Sequence, residues 1–244
     1  MKKHSSMALV VFAVCMVSYS GPMVKGALNE GASPISVALL RMLAAALLML
    51  PYEARQCVRR HIPMKLTPAQ WGLTALAAAF LAAHYITWIT SLTGTSTFAS
   101  VALVCTQPLF VAFFSYVLFH ERTPRRALPG ALLALLGAVT IALSGLAGQG
   151  AQAAGSDALR SNLLALAGAV LMAAHWLAGR QIRQTLAAEV YTPVLYLITA
   201  LLLALCLPLS GGFRMPLSAL PYMAGLVIGS TLLGHAVFAY ALSG

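Results

Sequence analysis

Charge is what this sequence has least of. Asp, Glu, Lys and Arg together supply 8% of its 244 residues, while apolar residues supply 60%. A soluble chain with so few charges would have little polar surface to show water, so the natural solvent is a bilayer. Acids are scarcer still, and Glu30, Glu53, Glu121, Asp157 and Glu189 all fall near the ends of apolar runs. No carboxylate pair therefore sits at membrane depth. HExxH, GxSxG and Walker sequences are missing as well, which removes the parts of metal hydrolysis, acyl transfer and nucleotide hydrolysis. An enzyme is not expected, nor is a cofactor. Cys15, Cys57, Cys105 and Cys206 lie far apart, without the CxxC or Cys/His spacing of a zinc site or disulfide framework. The net charge of +10 does not signal nucleic acid, because the basic residues form short clusters between apolar runs with no basic-aromatic stripe.

What the sequence has is long apolar runs. Bounded by charge, Pro or Gly, they predict spans near 7–25, 33–52, 68–92, 95–119, 127–147, 161–180, 190–209 and 216–243. A helix is the open element that satisfies its own backbone groups in hydrocarbon, so the expected fold is an all-α, polytopic helical membrane protein of about eight transmembrane helices. The first run imitates a signal peptide, but it continues past Pro22 to Val24 and reads as a retained span.

Lys and Arg then set orientation. Lys2, Lys3, Arg55, Arg59, Arg60, Lys65, Arg122, Arg125, Arg126, Arg180 and Arg183 fall on one side of the eight-span arrangement, against Lys25, Arg160 and Arg214 on the other. By the positive-inside rule the amino terminus is cytoplasmic, in a bacterial-type inner membrane.

The longest external connection is rich in Gly, Ala and Gln and reads as a flexible linker over 148–160. It divides the chain into a five-helix unit, 1–147, and a three-helix unit, 161–244. The units are faintly alike: Ala13, Val14 and Met16 align with Ala169, Val170 and Met172, Tyr19 falls opposite His175, and Pro51 opposite Pro208. Five helices per unit would insert two units in opposite orientations.

The segment AAHYITWITSLTGTSTFASVALVCTQPLFVAFFSYVLFHERTP, from Ala82 to Pro124, resembles the third and fourth helices of EamA-type members of the drug/metabolite transporter superfamily. SPISVALLRMLAAALLMLP (Ser33 to Pro51) is similar to that family's second helix, and TLLGHAVFAYAL (Thr231 to Leu242) to its eighth. The resemblance implies a ten-helix exporter of small metabolites, with two inverted five-helix repeats around a central cavity. The ninth and tenth helices of that plan have no counterpart before Gly244, so the second repeat is incomplete. The alternative it raises is a non-transporting or truncated membrane subunit that needs a partner chain, a second copy in a homodimer being one candidate.

Residues for a binding site follow from polarity inside the spans. Arg41 lies midway along the second, where a charge costs about 2.5–3.5 kcal/mol on insertion scales. With no acid in any span, its partners are carbonyls, hydroxyls, water or an anionic solute, and its role is either structural or direct binding. His84, Thr87, Trp88 and Ser91 recur at i, i+3, i+4 and i+7 on one face of the third span. They either line a cavity or bind neighbouring helices. In the fourth span Gln107 lies beside Pro108, which removes one backbone hydrogen bond and frees a carbonyl. Tyr19, His175, His235 and Tyr240 complete the candidates. Each His is read either as a satisfied core group or as a site group able to carry protons. Gly130, Ala134 and Gly137, and Ala165, Gly168 and Ala169, are small-residue sets expected to let backbones approach. Together these residues point to a carrier of a small metabolite, such as an amino acid or related compound, working by alternating access.

Overall fold

A computed structural model describes residues 18–121, 128–146 and 156–234. Among them there is no strand, and the elements run in order α1 (Ser20–Asn29), α2 (Pro34–Arg59), α3 (Pro68–Gly94), α4 (Thr97–Val104), α5 (Gln107–Phe119), α6 (Leu128–Leu146), α7 (Ser156–Ile182), α8 (Ala188–Leu205) and α9 (Leu220–Gly225). Short 3-10 turns at Leu207–Ser210 and Leu217–Ala219 precede α9, and a π-helical stretch, Leu226–Gly234, continues it. Among the described residues five spans are long and apolar enough to cross a membrane: α2, α3, α4 with α5, α7 and α8. The protein is a polytopic helical membrane protein.

Local chemistry starts these helices where polar residues precede Pro. Ser33 accepts from the backbone N–H of Ser36 ahead of Pro34. Thr67 and Gln70 close a reciprocal capping box around Pro68. Each device satisfies amides that the helix itself leaves without acceptors, and Pro at the first position gives up an N–H that had no partner.

Two expectations about breaks are revised. The fourth span is two helices rather than one, separated at Cys105–Thr106, because Pro108 can neither donate to the carbonyl of Val104 nor avoid its bulk. The second runs on through Pro51 to Arg59 instead of ending near it. In addition, α7 begins at Ser156, so residues 156–160 of the expected linker are helical.

Packing is dominated by the antiparallel pair α3 and α7, followed by α2 against α8 and α3 against α8. The main core joins Val37 and Met42 of α2, Leu81 and Ile89 of α3, Ile182 of α7, Leu195 and Leu203 of α8, and Leu226. Leu132, Leu133 and Leu136 of α6 and Leu201 and Leu205 of α8 face outward, as side chains solvated by lipid would. Gly168 does serve close approach, since a Cβ there would meet Thr87 Oγ1 and the Trp88 Cβ at 3.3 Å. At Gly130 and Gly137 no atom of the described residues lies within 4 Å of a Cβ built there.

The basic ends of the helices gather at one end of the bundle. Arg60 Nη1 of α2 donates to Glu189 Oε1 of α8 at 2.9 Å, and Arg180 Nη1 of α7 to Glu121 Oε2 at 2.7 Å. Gln70 Nε2 meets the Thr185 carbonyl at 3.1 Å beside them. At the opposite end Thr95 Oγ1 donates to Asn162 Oδ1 at 2.8 Å.

Candidate functional site

Arg41 is seven residues into α2, about 10 Å from its start at 1.5 Å per residue. Its side chain is buried, with 3% of the residue exposed. The guanidinium meets hydroxyls from two other elements. Nη1 donates to Ser20 Oγ of α1 at 3.1 Å, Nε to Thr231 Oγ1 at 3.1 Å and Nη2 to Ser230 Oγ at 3.4 Å, the last two on the π-helical stretch. No acid takes part, as the sequence implied, and the partners are the hydroxyls it allowed. Ser230 and Thr231 are consecutive residues of that stretch, and both hydroxyls lie against the one guanidinium.

Below the cation lies an aromatic wall built by α3. The Arg41 Cζ stands 5.0 Å from the centre of the Tyr85 ring, close enough for a cation–π contact. His84 stacks on Trp88 with centroids 5.8 Å apart and meets Tyr85 edge-on at 5.1 Å. Trp88 is buried, and its Nε1–H has no acceptor among the described residues. The Oε1 of Gln107, in the first turn of α5, is likewise buried without a donor there. A buried polar atom without a partner costs about 1–3 kcal/mol, so both are candidates to meet something that enters from outside.

The other polar residues are engaged between helices. His84 Nδ1 donates to the Gly168 carbonyl of α7 at 2.9 Å, and His175 Nδ1 of α7 donates to the Ala77 carbonyl of α3 at 2.9 Å. Stepping seven residues back along α3 matches stepping seven forward along α7, so two histidines two turns apart zip one antiparallel pair. Donation to a carbonyl places the proton on Nδ1 in each ring. Ser91 Oγ lies 2.6 Å from Ser100 Oγ and 2.6 Å from the Trp88 carbonyl, tying α3 to α4. Lys25 Nζ donates to the Leu92 carbonyl at 2.6 Å in the last turn of α3.

The candidates thus divide. Arg41, His84 and Trp88 come together with Tyr85, while Ser91 and His175 join helices and Tyr19 is 57% exposed at the start of α1. His235 and Tyr240 lie outside the described residues. Ser20, Tyr85, Ser230 and Thr231 were missed. The signal that could have found them is the search for partners that Arg41 itself demands, applied to the hydroxyls of neighbouring spans. A shallow apolar depression on α7, lined by Leu159, Arg160, Leu163, Leu164 and Ala167, shares no residue with this cluster.

A polytopic bundle of apolar helices that keeps a cation and aromatic rings inside, where bilayer and packing would each favour apolar side chains, has the construction of a membrane transporter of small solutes. The EamA-like transporter family model matches residues 4–143, and the chain belongs to that family. A solved structure, described only as a crystal structure of a protein, superposes with a TM-score of 0.66 at 20% identity, over 99% of this chain and 79% of that one. That likeness concerns the fold alone. No curated protein matches the chain.

Proposed function

We propose that the chain exports a small metabolite, such as an amino acid or related compound, across the cell's inner membrane by alternating access. Its amino terminus is cytoplasmic and its site lies where the first unit, 1–147, meets the second, 161–244, across the linker 148–160. The observation that carries this reading is the buried guanidinium of Arg41, shared between α1 and α2 of the first unit and the π-helical stretch of the second. A charge held by both units is a group whose partners must change if the units rock against each other. The packing supports the repeat plan: α3 packs on α7 as α9 packs on α1, and α2 packs on α8. These are the pairings that exchange of first, second and third helices between two inverted units generates. Arg41, His84, Trp88 and Gln107 are the residues assigned to the solute, with Tyr85 and Ser20 beside them.

The test is reconstitution of the full chain into liposomes loaded with a defined mixture of amino acids and related metabolites, with efflux followed by mass spectrometry. Saturable loss of at least one solute, relative to empty liposomes and to Arg41→Gln, is expected. Release profiles identical to empty liposomes for the whole mixture would remove the reading.

A further inference from the structure

We propose that the Nε/Nη2 edge of Arg41 is the docking site for a carboxylate on the transported solute, and that the Ser230 and Thr231 hydroxyls occupy that edge until the carboxylate displaces them. This deepens the transport reading and rests on it. A guanidinium stays protonated whatever its burial, and its Nε–H and the adjacent Nη2–H point the same way, spaced to meet the two oxygens of one carboxylate. In this structure that edge carries two oxygens from consecutive residues, Thr231 Oγ1 on Nε at 3.1 Å and Ser230 Oγ on Nη2 at 3.4 Å, while Ser20 holds the other side through Nη1. The hydroxyl pair stands where carboxylate oxygens would.

The fit is looser than a carboxylate's. Charge-assisted N–H···O bonds run near 2.7–2.9 Å, and hydroxyls carry no charge to neutralise the buried cation. Displacement is also easily accommodated. Thr231 Oγ1 already approaches the Leu226 carbonyl at 3.2 Å, an acceptor that remains when the guanidinium is taken. The pair rides on a π-helical stretch, a geometry rare in proteins and frequent at functional sites. Around the edge, the Tyr85 ring lies against the cation and Trp88 holds an indole N–H without an acceptor among the described residues. The class that suits this surround is a small monocarboxylate with a flat or apolar body. Its arrival breaks the tie between α2 and the π-helical stretch, so solute recognition and release of one unit from the other become a single event.

The experiment uses the full chain in lipid nanodiscs with Trp71→Phe and Trp176→Phe, which leaves Trp88 as the sole indole of the three in the sequence. Benzoate is titrated against its neutral isostere, benzamide. Saturable change in Trp88 emission with benzoate but not benzamide is expected, and Arg41→Lys, checked for helicity and homogeneity, should lose it. Thr231→Val removes an internal competitor and should tighten the benzoate Kd about tenfold, the equivalent of one charge-assisted hydrogen bond. A merely structural Arg41 would show no such gain. Equal responses to both probes, or a Kd unchanged or weakened by Thr231→Val, would overturn the proposal, and Thr231→Val decides if Arg41→Lys does not fold. Flux in liposomes separates the two readings: solute movement without discrimination between the probes overturns the carboxylate site alone, whereas discrimination without flux upholds the site and overturns transport.

Discussion

Removing the hydroxyls around Arg41 should damage the fold more than removing Arg41 itself. The triple variant Ser20→Ala, Ser230→Ala, Thr231→Val strips the guanidinium of the three partners seen here and leaves its charge in place. A hydrogen bond to a charged group contributes about 1.5–3 kcal/mol, so three of them bound the loss from above at roughly 4.5–9 kcal/mol. Water entering the cluster and the Tyr85 contact offset part of this. Breaking one side of a buried charged constellation costs about 3–5 kcal/mol in practice, and that is the loss expected. Arg41→Met removes the desolvated charge together with its partners' task. Replacing a whole buried charged constellation by apolar residues runs from neutral to stabilising by about 1–4 kcal/mol. Here Thr231 keeps the Leu226 carbonyl, but the buried Ser20 and Ser230 hydroxyls lose their donor, at about 1 kcal/mol or more each. The expected change for Arg41→Met therefore lies within about 1 kcal/mol of zero, a balance of those two terms. Reversible unfolding by SDS titration in mixed micelles, followed by far-ultraviolet circular dichroism, measures both. An Arg41→Met variant less stable than the triple variant would refute the reasoning, because the cation would then be a net stabiliser instead of a retained cost.

Three further outcomes follow from other contacts. The Glu121 carboxyl is held below the usual carboxylate range, chiefly by its hydrogen bond from Arg180 and further by that charge. A depressed value means its contribution is present above the unfolded-state range and is lost as pH falls through the folded value, so a spin-label distance between the ends of α5 and α7 should lengthen on acidification and become insensitive in Glu121→Gln. Ser91 and Ser100 should couple by about 0.6 kcal/mol in a double-mutant cycle of unfolding free energies, the average for hydrogen bonds between transmembrane helices, and a coupling of zero would assign their contact no role. Gly168→Val should destabilise by about 1–3 kcal/mol through overpacking against Trp88 and Thr87, whereas Gly137→Val, which meets no neighbour among the described residues, should leave unfolding nearly unchanged.

Much of this was legible in the sequence, for reasons that differ by residue. Apolar runs give spans because hydrocarbon thickness sets a length, and Arg41 stands out because a charge at depth demands partners. Where those partners come from was not legible. Adjacent hydroxyls do not form a periodic face, so Ser230 and Thr231 fall outside period counting, and nothing within its own span marks Ser20. Tyr85 sits one position off the His84, Trp88, Ser91 stripe, yet its ring reaches the cation. The small-residue sets show the same limit: Gly168 and Gly137 look alike in sequence, and only the neighbouring helix tells them apart.

The two histidines that fasten α3 to α7 bear on how the gene could be cut. Each helix of the pair contributes one imidazole and one carbonyl, and the two helices belong to opposite sides of the linker. The most extensive packing among the described elements is thus between helices far apart in the chain. Expressed as two polypeptides divided between Leu146 and Ser156, the pieces carry complementary halves of one clasp.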